Sequence, residues 1–469
     1  MNEATDMNDH DVKAADTNRR DFLKGGSVAT LMGLMGGVRL FGQTAAEPAP
    51  VGKPAVAKYK VGVIGLGRWG REVLNTLALA PQAAVGAYQV EVAAICDNYP
   101  SSVRRAGEVV PGAAKTEDYK VILENKDIPA VIISTPTHKH KDIVLAALKA
   151  GKHVYCEAPL ANNLADAREI ALAAKAFPRQ IFQAGLQDFS DPERTFLLPF
   201  IRSGGLGKNV MTRAQFHKKY SWRQQSPNTQ REKDINWCLD KTVSLGLLGE
   251  VGIHPLGQAA WFLNAKPAAI TAFGSILVYT DDGRDVADTV QAICEFPGGI
   301  RMTYDVTLGN SFDGNYEMFY GTDGALMLRD SKAWMFKETD AALGGWEVYA
   351  SKTRFYNETG IALMAGASKG KVSTPTAAEE SPALKNPLFY SLGNFVRNSS
   401  DYTNAIADYT ANFGDDQDGL LKHLNENVHK RAAAGFLEGY QATVTAVKAS
   451  EAALTGKRVE IAPDLYELK

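Results

Sequence analysis

The chain is poor in cysteine: its 469 residues include four, and they are scattered along the sequence. They are Cys96, Cys156, Cys238 and Cys294. Metal centres and disulfide frameworks need clustered ligands, and no Cys-x-x-Cys pair occurs. Apolar neighbours flank Cys96, Cys156 and Cys294, which predicts buried, reduced thiols. The sequence therefore predicts no metal site.

Neither sign of charge is in excess, since 51 Lys and Arg stand against 53 Asp and Glu. A chain without a basic surplus has little to attract nucleic acid or an anionic membrane. Its 45% hydrophobic and 22% charged residues are ordinary for a globular protein, and its length allows two domains with separate cores. We therefore expect small-molecule ligands and no nucleic-acid partner.

A long, uninterrupted apolar run is also lacking. The apolar stretch 25–41 is short and broken by glycines, which is too little for a stable membrane span. It follows Arg19 and Arg20 in the string Thr-Asn-Arg-Arg-Asp-Phe-Leu-Lys, the pattern of a twin-arginine export signal. Asn18 stands where that pattern usually has Ser or Thr.

We therefore predict a twin-arginine signal peptide at 1–46 and a Pro-rich linker at 47–57. The protein would pass, already folded, through the twin-arginine translocon to the periplasm or another exported location. A leader that is not cleaved would instead retain it at the membrane.

The rest of the chain shows two patterns. Residues 58–185 alternate short apolar runs with helical segments, which is typical of a parallel, doubly wound sheet in an α/β domain. Residues 186–469 begin with a polar, aromatic region and an apolar helix at 251–263. Period-two segments separated by glycine turns follow and predict an antiparallel sheet. Predicted strands lie at 59–64, 91–96, 130–134, 153–157, 180–184, 269–279, 289–296, 300–307, 316–320 and 325–328, and closing helices at 387–399 and 432–455.

A glycine-rich turn follows the first strand and opens a helix. Its residues are Gly65, Leu66, Gly67, Arg68, Trp69 and Gly70. In such turns the first glycine permits the sharp bend, the second lets the backbone approach a pyrophosphate, and the third allows close helix–strand packing. The helix N-terminus attracts the phosphates. We therefore interpret all six residues as cofactor-binding; a glycine turn without a ligand is the alternative.

Asp97 ends the second strand, where a carboxylate accepts hydrogen bonds from the adenosine ribose. The same carboxylate repels a 2′-phosphate, so NAD is favoured over NADP. More residues than usual separate Asp97 from the glycine turn along the sequence, because residues 80–89 look inserted. Asp97 could instead cap a helix, and Arg104 or Arg105 could serve NADP.

Two later loops also lie at strand ends, at 134–140 and 156–160. Ligands of open parallel sheets collect at the carboxyl ends of the strands, so both loops should border the cofactor. The loops carry Thr-Pro-x-x-x-His and Glu-Ala-Pro, and here the chain resembles the glucose–fructose oxidoreductase, inositol dehydrogenase and MocA family. The resemblance implies cofactor contacts at Thr135, Pro136, His140, Glu157 and Pro159.

The resemblance extends from residue 58 to the end. It implies a Rossmann domain followed by a C-terminal α/β domain with a large open, mainly antiparallel sheet, of the kind that commonly mediates homo-oligomers (dimers or tetramers). The family's dehydrogenases place a catalytic lysine between the Glu and the Pro, where this chain has Ala158. A methyl group performs no acid–base chemistry. The candidates to replace it are Lys218, Lys219, Lys241 and Tyr220.

The family's second catalytic region is matched by Glu250, His254 and Gln258. Spacing of four places the three on one helical face, so they can converge on one substrate. His254 is the natural general base, since the ordinary pKa of imidazole lies near neutrality. Glu250 would orient it or bind a hydroxyl, and Gln258 would contact substrate. His254 could instead only cap or pack the helix.

The segment before this helix mixes aromatic, amide and charged side chains, which suits a carbohydrate, since sugars stack on aromatic faces and bond to planar polar groups. An irregular loop with core tryptophans is the alternative. The candidate substrate-binding residues are Tyr220, Trp222, Asn236, Trp237 and Lys241, with Gln187 just beyond the predicted strand at 180–184. We interpret Arg284 and Asp285, in a hairpin turn, as solvated surface, with an oligomer contact as the alternative.

These patterns predict an exported NAD(H)-dependent oxidoreductase that acts on a sugar or sugar derivative. Because free cofactor is not expected outside the cytoplasm, the enzyme should hold its cofactor tightly and regenerate it in each cycle. One alternative is an NAD-dependent glycosidase similar to glycoside hydrolase family 109, which also lacks the lysine. Another is a sugar-binding protein with a vestigial nucleotide fold.

Overall fold

The structure is a computed structural model and describes residues 58–83, 88–329, 332–342, 352–355, 358–363 and 386–469. The predicted signal peptide and linker lie outside the described residues. Within these residues no helix combines the length and apolarity needed to cross a bilayer.

The first domain is built on a parallel sheet of six strands in the order β3-β2-β1-β4-β5-β6. Its central strands are buried on both faces, as in β4 and β5, where every residue is buried. Continuous apolar runs suit such strands because helices cover both sides. The predicted parallel sheet is confirmed. The strands are β1 (Tyr59–Ile64), β2 (Val90–Cys96), β3 (Ala114–Thr116), β4 (Ala130–Ile133), β5 (His153–Cys156) and β6 (Phe182–Ala184).

The sheet separates two apolar cores, and the connecting helices are divided between them. The first two helices share one core with Val61 and Val63, and the next three share the other core with Ile64. These helices are α1 (Arg68–Leu79), α2 (Pro100–Val109), α3 (Tyr119–Glu124), α4 (His140–Lys149) and α5 (Leu164–Ala176).

The second domain contains a ten-stranded sheet in the order β14-β15-β13-β12-β11-β7-β10-β9-β8-β16. Its neighbours are antiparallel except β7 and β10, which run parallel. Strand β10 alternates buried and more exposed residues, the period that predicted a half-buried sheet. The strands are β7 (Asn209–His217), β8 (Ala269–Ser275), β9 (Thr289–Glu295), β10 (Arg301–Thr307), β11 (Asn315–Gly321), β12 (Gly324–Arg329), β13 (Lys332–Lys337), β14 (Lys352–Phe355), β15 (Glu358–Leu363) and β16 (Val459–Glu460).

Helices of the second domain cover the inner face of this sheet, and α11 also packs against α5 of the first domain. On the outer face, Met211, Phe273 and Ile293 are exposed. The remaining helices of the described residues are α6 (Pro192–Arg202), α7 (Thr229–Ile235), α8 (Ile253–Leu263), α9 (Pro387–Phe413), α10 (Gln417–Asn427) and α11 (Phe436–Thr455). Of these, α9 and α10 pack against the first domain.

Two helical predictions need correction. The helix predicted from residue 251 begins at Ile253 and is preceded by one π-helical turn, Leu247–Val251. The helix predicted to end at residue 399 continues to Phe413, and α10 was not foreseen. Beyond Tyr402, α9 has no fully buried residue, and the apolar stripe of Ala405, Ile406 and Tyr409 is only partly buried.

Helix α9 belongs to the first domain in space. Its residues Leu388, Phe389 and Leu392 lie in the same apolar core as Val61 of β1. The Ser391 hydroxyl lies 3.2 Å from the hydroxyl of Tyr155, inside that core. The sequence assigned all of 186–469 to the second domain, whereas this helix completes one face of the first sheet.

Candidate active site

The glycine turn has the geometry that a pyrophosphate seat requires. Gly65 has a φ of 92°, and its N–H donates to Cys96 O at 2.8 Å. A Cβ on Gly70 would lie 2.0 Å from Gly65 O, so α1 could not pack this closely with any side chain there. A Cβ on Gly67 would meet nothing within 4 Å, so the space above the helix N-terminus is open to a ligand.

Two substitutions separate the packing and binding roles of these glycines. We expect Gly70→Ala to cost about 1–3 kcal/mol of stability, because α1 must move away from β1. Gly67→Ala is the matched control, with the same added methyl and no clash; it should unfold at the wild-type midpoint but bind nucleotide more weakly. Denaturant unfolding and nucleotide titration measure the two effects. Equal unfolding midpoints for the two variants would contradict the packing argument.

Asp97 braces this turn from the end of β2. Its carboxylate accepts hydrogen bonds from the N–H of Leu66 at 2.8 Å and of Tyr99 at 2.9 Å. Each oxygen keeps a lone pair that could receive a ribose hydroxyl. The N-cap residue of α2 is Tyr99, without a side-chain cap, so Asp97 does not cap the helix, and its hydrogen bonds are compatible with the ribose role.

His140 joins the two loops that follow β4 and β5. Its Nε2 lies 2.9 Å from Thr135 O and its Nδ1 lies 3.0 Å from Pro159 O. The ring is buried, and burial lowers its pKa. His140 therefore holds the two loops together through their backbone carbonyls. Its ring is buried and does not face the cleft, so any cofactor contact in this region comes from other atoms of the loops.

Several buried polar atoms of these loops have no partner among the residues that the structure describes. They are the hydroxyls of Ser134 and Thr135 and Oε1 of Glu157. Burial raises the pKa of Glu157 to about 8, opposed by hydrogen bonds from Trp69 and from the N–H of Ala158. Unpaired buried polar atoms are costly, so their clustering at the strand ends fits a site completed by a polar ligand. The residues present fit a dinucleotide.

Glu250 links this cleft to the second domain. It lies in the π-helical turn, and its carboxylate accepts hydrogen bonds from the hydroxyl of Thr137 at 2.8 Å and from the N–H of Leu245 at 3.0 Å. Burial raises its pKa to about 7. Both neighbours are donors, so their hydrogen bonds favour the ionised carboxylate and oppose this rise. Glu250 therefore joins the β4 loop, through Thr137, to the segment of the second domain that leads to His254.

His254 lies one turn further, in the first turn of α8. The residue is half-buried, and no hydrogen bond to its ring is found among the described residues. Burial lowers its pKa; the nearby Asp188 raises it and Arg194 lowers it. The imidazole is therefore neutral near pH 7, with a nitrogen free to accept a proton.

Gln258 lies on the same side of α8 but does not reach the cleft. Its side chain is fully buried; Oε1 accepts from Arg194 Nε at 2.6 Å and Nε2 donates to Glu317 at 2.9 Å. Arg194 also pairs with Asp188 at 3.2 Å and with Asp191 at 2.7 Å. We call these five residues the buried ion cluster. Both ends of the Gln258 amide are thus occupied within the protein.

The sequence did not reveal the buried ion cluster. Arg194 and Glu317 stand far apart in the chain and belong to no motif. One available signal was Asp191-Pro192, which starts α6 and whose Asp caps the helix, so that Arg194 follows one turn into it.

The predicted sugar-binding side chains belong to a segment that we call the strap, residues 218–245. Trp222 is buried, and its Nε1 donates to the Tyr220 hydroxyl at 2.9 Å. Asn236 is buried and bonds both the N–H and the C=O of Gln224, at 2.7 and 3.0 Å. These contacts hold the strap together, and the Asn236 amide is not open to a ligand.

The remaining candidates are more accessible. Trp237 is half-buried with its ring centroid 5.9 Å from that of His138. Lys241 is exposed and lies 3.6 Å from Asp285. Gln187 is half-buried in a short 3₁₀ turn after β6.

The interpretation of Arg284 as solvated surface was wrong. Its side chain is 1% exposed, pairs with Asp282 at 2.6 Å and donates to the Ser221 hydroxyl at 3.0 Å. Its guanidinium lies 4.7 Å from the ring centre of Tyr279. A hairpin arginine therefore anchors the start of the strap.

All four cysteines are free, and Cys96, Cys156 and Cys294 are buried. Across the described ranges there is no cluster of three His, Cys, Asp or Glu side chains that could hold a metal ion.

Two family models match the chain. One, described as an oxidoreductase family with an NAD-binding Rossmann fold, matches residues 59–184. The other, described as a GFO/IDH/MocA C-terminal domain, matches residues 199–327. Together the two matches extend over both domains and more than half of the chain.

Curated relatives and solved structures agree with this pattern. A levoglucosan dehydrogenase of Pseudarthrobacter phenanthrenivorans is 24% identical over 64% of this chain and 82% of that protein. An inositol 2-dehydrogenase/D-chiro-inositol 3-dehydrogenase of Lactiplantibacillus plantarum is 27% identical over 53% of this chain and 64% of its own length, so the match spans less than two thirds of that relative. A solved levoglucosan dehydrogenase in complex with NADH and levoglucosan shares the fold, with a TM-score of 0.64 at 19% identity, covering 86% of this chain and 100% of that one.

Proposed function

The chain belongs to the Gfo/Idh/MocA family of oxidoreductases, and from this premise we propose that it is an NAD(H)-dependent oxidoreductase acting on a sugar or a sugar derivative. Its first domain is an NAD-binding Rossmann domain of that family. The observation that carries the proposal is the position of His254, which is half-buried in the first turn of α8, one turn after Glu250, whose carboxylate accepts from Thr137 of the β4 loop. The names of the relatives above support a polyhydroxylated substrate.

A bound nicotinamide would supply the hydride acceptor and donor. His254 removes the proton from the substrate hydroxyl as that carbon is oxidised, and returns it in the reverse direction. Glu250 positions the β4 loop through Thr137 and the π-helical turn through Leu245. Ala158 contributes no acid or base, so proton transfer depends on His254 without the cation that the family's dehydrogenases place in this loop.

We also propose that the protein is exported and keeps its cofactor through repeated turnovers. Arg19, Arg20 and the glycine-spaced stretch after them support export, and a folded passage would carry the nucleotide along. Recovery of the full-length chain in the cytoplasm alone, by cell fractionation, would contradict this. The exposed apolar side chains on the outer face of the second sheet support a dimer or tetramer, and light scattering that gives a monomer mass would exclude it.

Ala158 favours one second candidate, a redox-neutral glycosidase. In that reaction the sugar is oxidised, the aglycone is eliminated, water adds and the sugar is reduced again, with no net change in NAD. The same residues would serve the oxidation step. The distinction therefore lies in the product rather than in the site.

Bound nucleotide and products test the proposal together. We expect acid-released NAD or NADH in the purified protein, and a change in the near-ultraviolet absorbance of the reduced nicotinamide when a free sugar or inositol is added. Release of nitrophenol from nitrophenyl glycosides without net redox change would instead establish the glycosidase. A protein that neither contains nor binds a nicotinamide nucleotide would exclude both.

A further inference from the structure

The strap crosses the carboxyl edge of the first sheet and contacts each loop that borders the cofactor cleft. A segment of the second domain therefore lies over the glycine turn, the β2 loop, the β4 loop and the β5 loop. The contacts are Arg68 over the Tyr220 ring at 4.8 Å, Arg231 over the Tyr99 ring at 4.4 Å, the His138 and Trp237 rings at 5.9 Å, and Asn162 Nδ2 donating to Val243 O at 3.1 Å.

The contact at the β2 loop involves a charged side chain at the adenosine end of the cleft. Asp97 marks this end, since a carboxylate there accepts from the ribose. Tyr99 follows two residues later, and the guanidinium of Arg231 from α7 lies over its ring. The Arg231 Nη1 also donates to Asn98 Oδ1 at 3.3 Å. Arg231 of the second domain thus contacts the loop that follows β2 in the first domain.

The hydrogen-bonding capacity of Arg231 is incompletely used. Its bonds to Asn98 and to Asp234 measure 3.3 and 3.4 Å, longer than the 2.7–2.9 Å typical of a charged donor. Its Nε is buried and has no partner among the residues that the structure describes. A buried guanidinium N–H without an acceptor is costly, so a ligand that brings an acceptor to this point would be favoured.

The ligand chemistry that matches is adenosine. A planar guanidinium stacks on aromatic rings and donates to ring nitrogens and hydroxyls, and adenosine offers all of these. A 2′-phosphate would also attract Arg231, but it would lie next to the Asp97 carboxylate, which repels it. The pair therefore suits an unphosphorylated ribose.

We propose that Arg231 is a cofactor-binding residue, contributed by the second domain, that closes the strap over the adenosine end of bound NAD. This inference rests on the proposed function, because it takes the ligand to be a nicotinamide dinucleotide. Its consequence is slow release: the nucleotide leaves after the Arg231–Tyr99 contact opens. Retention is what an exported enzyme without a cofactor supply needs.

Retention of nucleotide tests the inference without any assay of turnover. Full-length wild type, Arg231→Ala and Tyr99→Leu are each loaded with NADH, passed through gel filtration, and analysed for nucleotide after acid release. We expect both variants to dissociate NADH about tenfold faster than wild type, as follows from losing one partly desolvated cation–π contact. Lys233→Ala is the matched control, since it removes an exposed cation from the same helix, and it should release NADH at the wild-type rate.

The possible outcomes distinguish the role of Arg231 from the proposed function. If wild type binds NADH and Arg231→Ala releases it no faster, Arg231 does not hold the cofactor and the proposed function is unaffected. If native protein yields NADP rather than NAD, Arg231 serves a phosphate and the inference is wrong. If wild type binds no nicotinamide nucleotide, the proposed function fails and this inference with it. Unchanged thermal unfolding of the nucleotide-free variants shows that any faster release is not a folding defect.

Discussion

Replacing His254 by glutamine is expected to lower kcat by about 10²- to 10⁴-fold, the usual contribution of a positioned general base. Glutamine occupies a similar volume and accepts a hydrogen bond but cannot carry the proton away. NADH binding, measured by fluorescence titration, should be unchanged because the glycine turn and the strand-end loops are untouched. His429→Gln, an exposed change in the loop after α10, is the control and should turn over like wild type. Turnover retained in His254→Gln would exclude this residue as the base.

The pH dependence gives the same assignment an independent check. Burial lowers the pKa of His254, so the neutral base persists to lower pH than for a free imidazole, and kcat/KM should fall only as pH drops below that lowered value. Glu250, with a pKa of about 7, should add a second loss of activity near neutrality because protonation removes an acceptor for Thr137 or Leu245. Glu250→Gln should abolish the loss of activity near pH 7 and keep the loss at lower pH that comes from protonation of His254.

Replacing Arg194 by methionine should produce the largest loss of stability, about 3–5 kcal/mol, because it leaves the buried carboxylates around it without their cation. Methionine fills comparable space, so the loss measures the missing charge and hydrogen bonds rather than a cavity. Urea unfolding at fixed nucleotide concentration measures the effect. Arg179→Met, which removes a half-buried arginine bonded to Gln417 at the surface, should stay within about 0.5 kcal/mol of wild type.

Lowering the pH should recover part of the stability that Arg194→Met loses relative to wild type. Burial already raises the pKa of Glu317 to about 7, and removing the guanidinium raises it further. A carboxyl whose pKa is raised on folding takes up a proton in the folded state, so its cost to stability falls as pH drops through that raised value. The deficit relative to wild type should therefore be smaller at pH 6 than at pH 8. An equal deficit at both pH values would mean that charge is not its cause.

The local patterns could be predicted from the sequence because their physical causes are local. The glycine turn depends on one positive φ at Gly65 and one close approach at Gly70, both of which exclude side chains. The strands of both sheets follow from continuous or alternating apolar residues, which record burial on two faces or one. These features establish the two-sheet α/β fold and the strand-end position of the cleft.

The features that could not be predicted are pairings between distant parts of the chain. The apolar stripe of α9 would read the same whichever sheet it covered, so its place on the first domain was hidden. Gln258 has the spacing of a site residue, but Arg194 and Glu317 take both ends of its amide. Arg284 stands in a turn sequence that usually reaches solvent, and Asp282 and Ser221 bury it.

The position of α9 also sets the order in which this protein can be completed during synthesis. The strands of the first sheet leave the ribosome early, yet one of their faces is covered by Leu388, Phe389 and Leu392, which are translated some two hundred residues after β6. Domains otherwise tend to fold as they emerge. Nascent chains stalled before residue 387 should therefore remain protease-sensitive in the first domain, and nucleotide capture should come only near the end of translation.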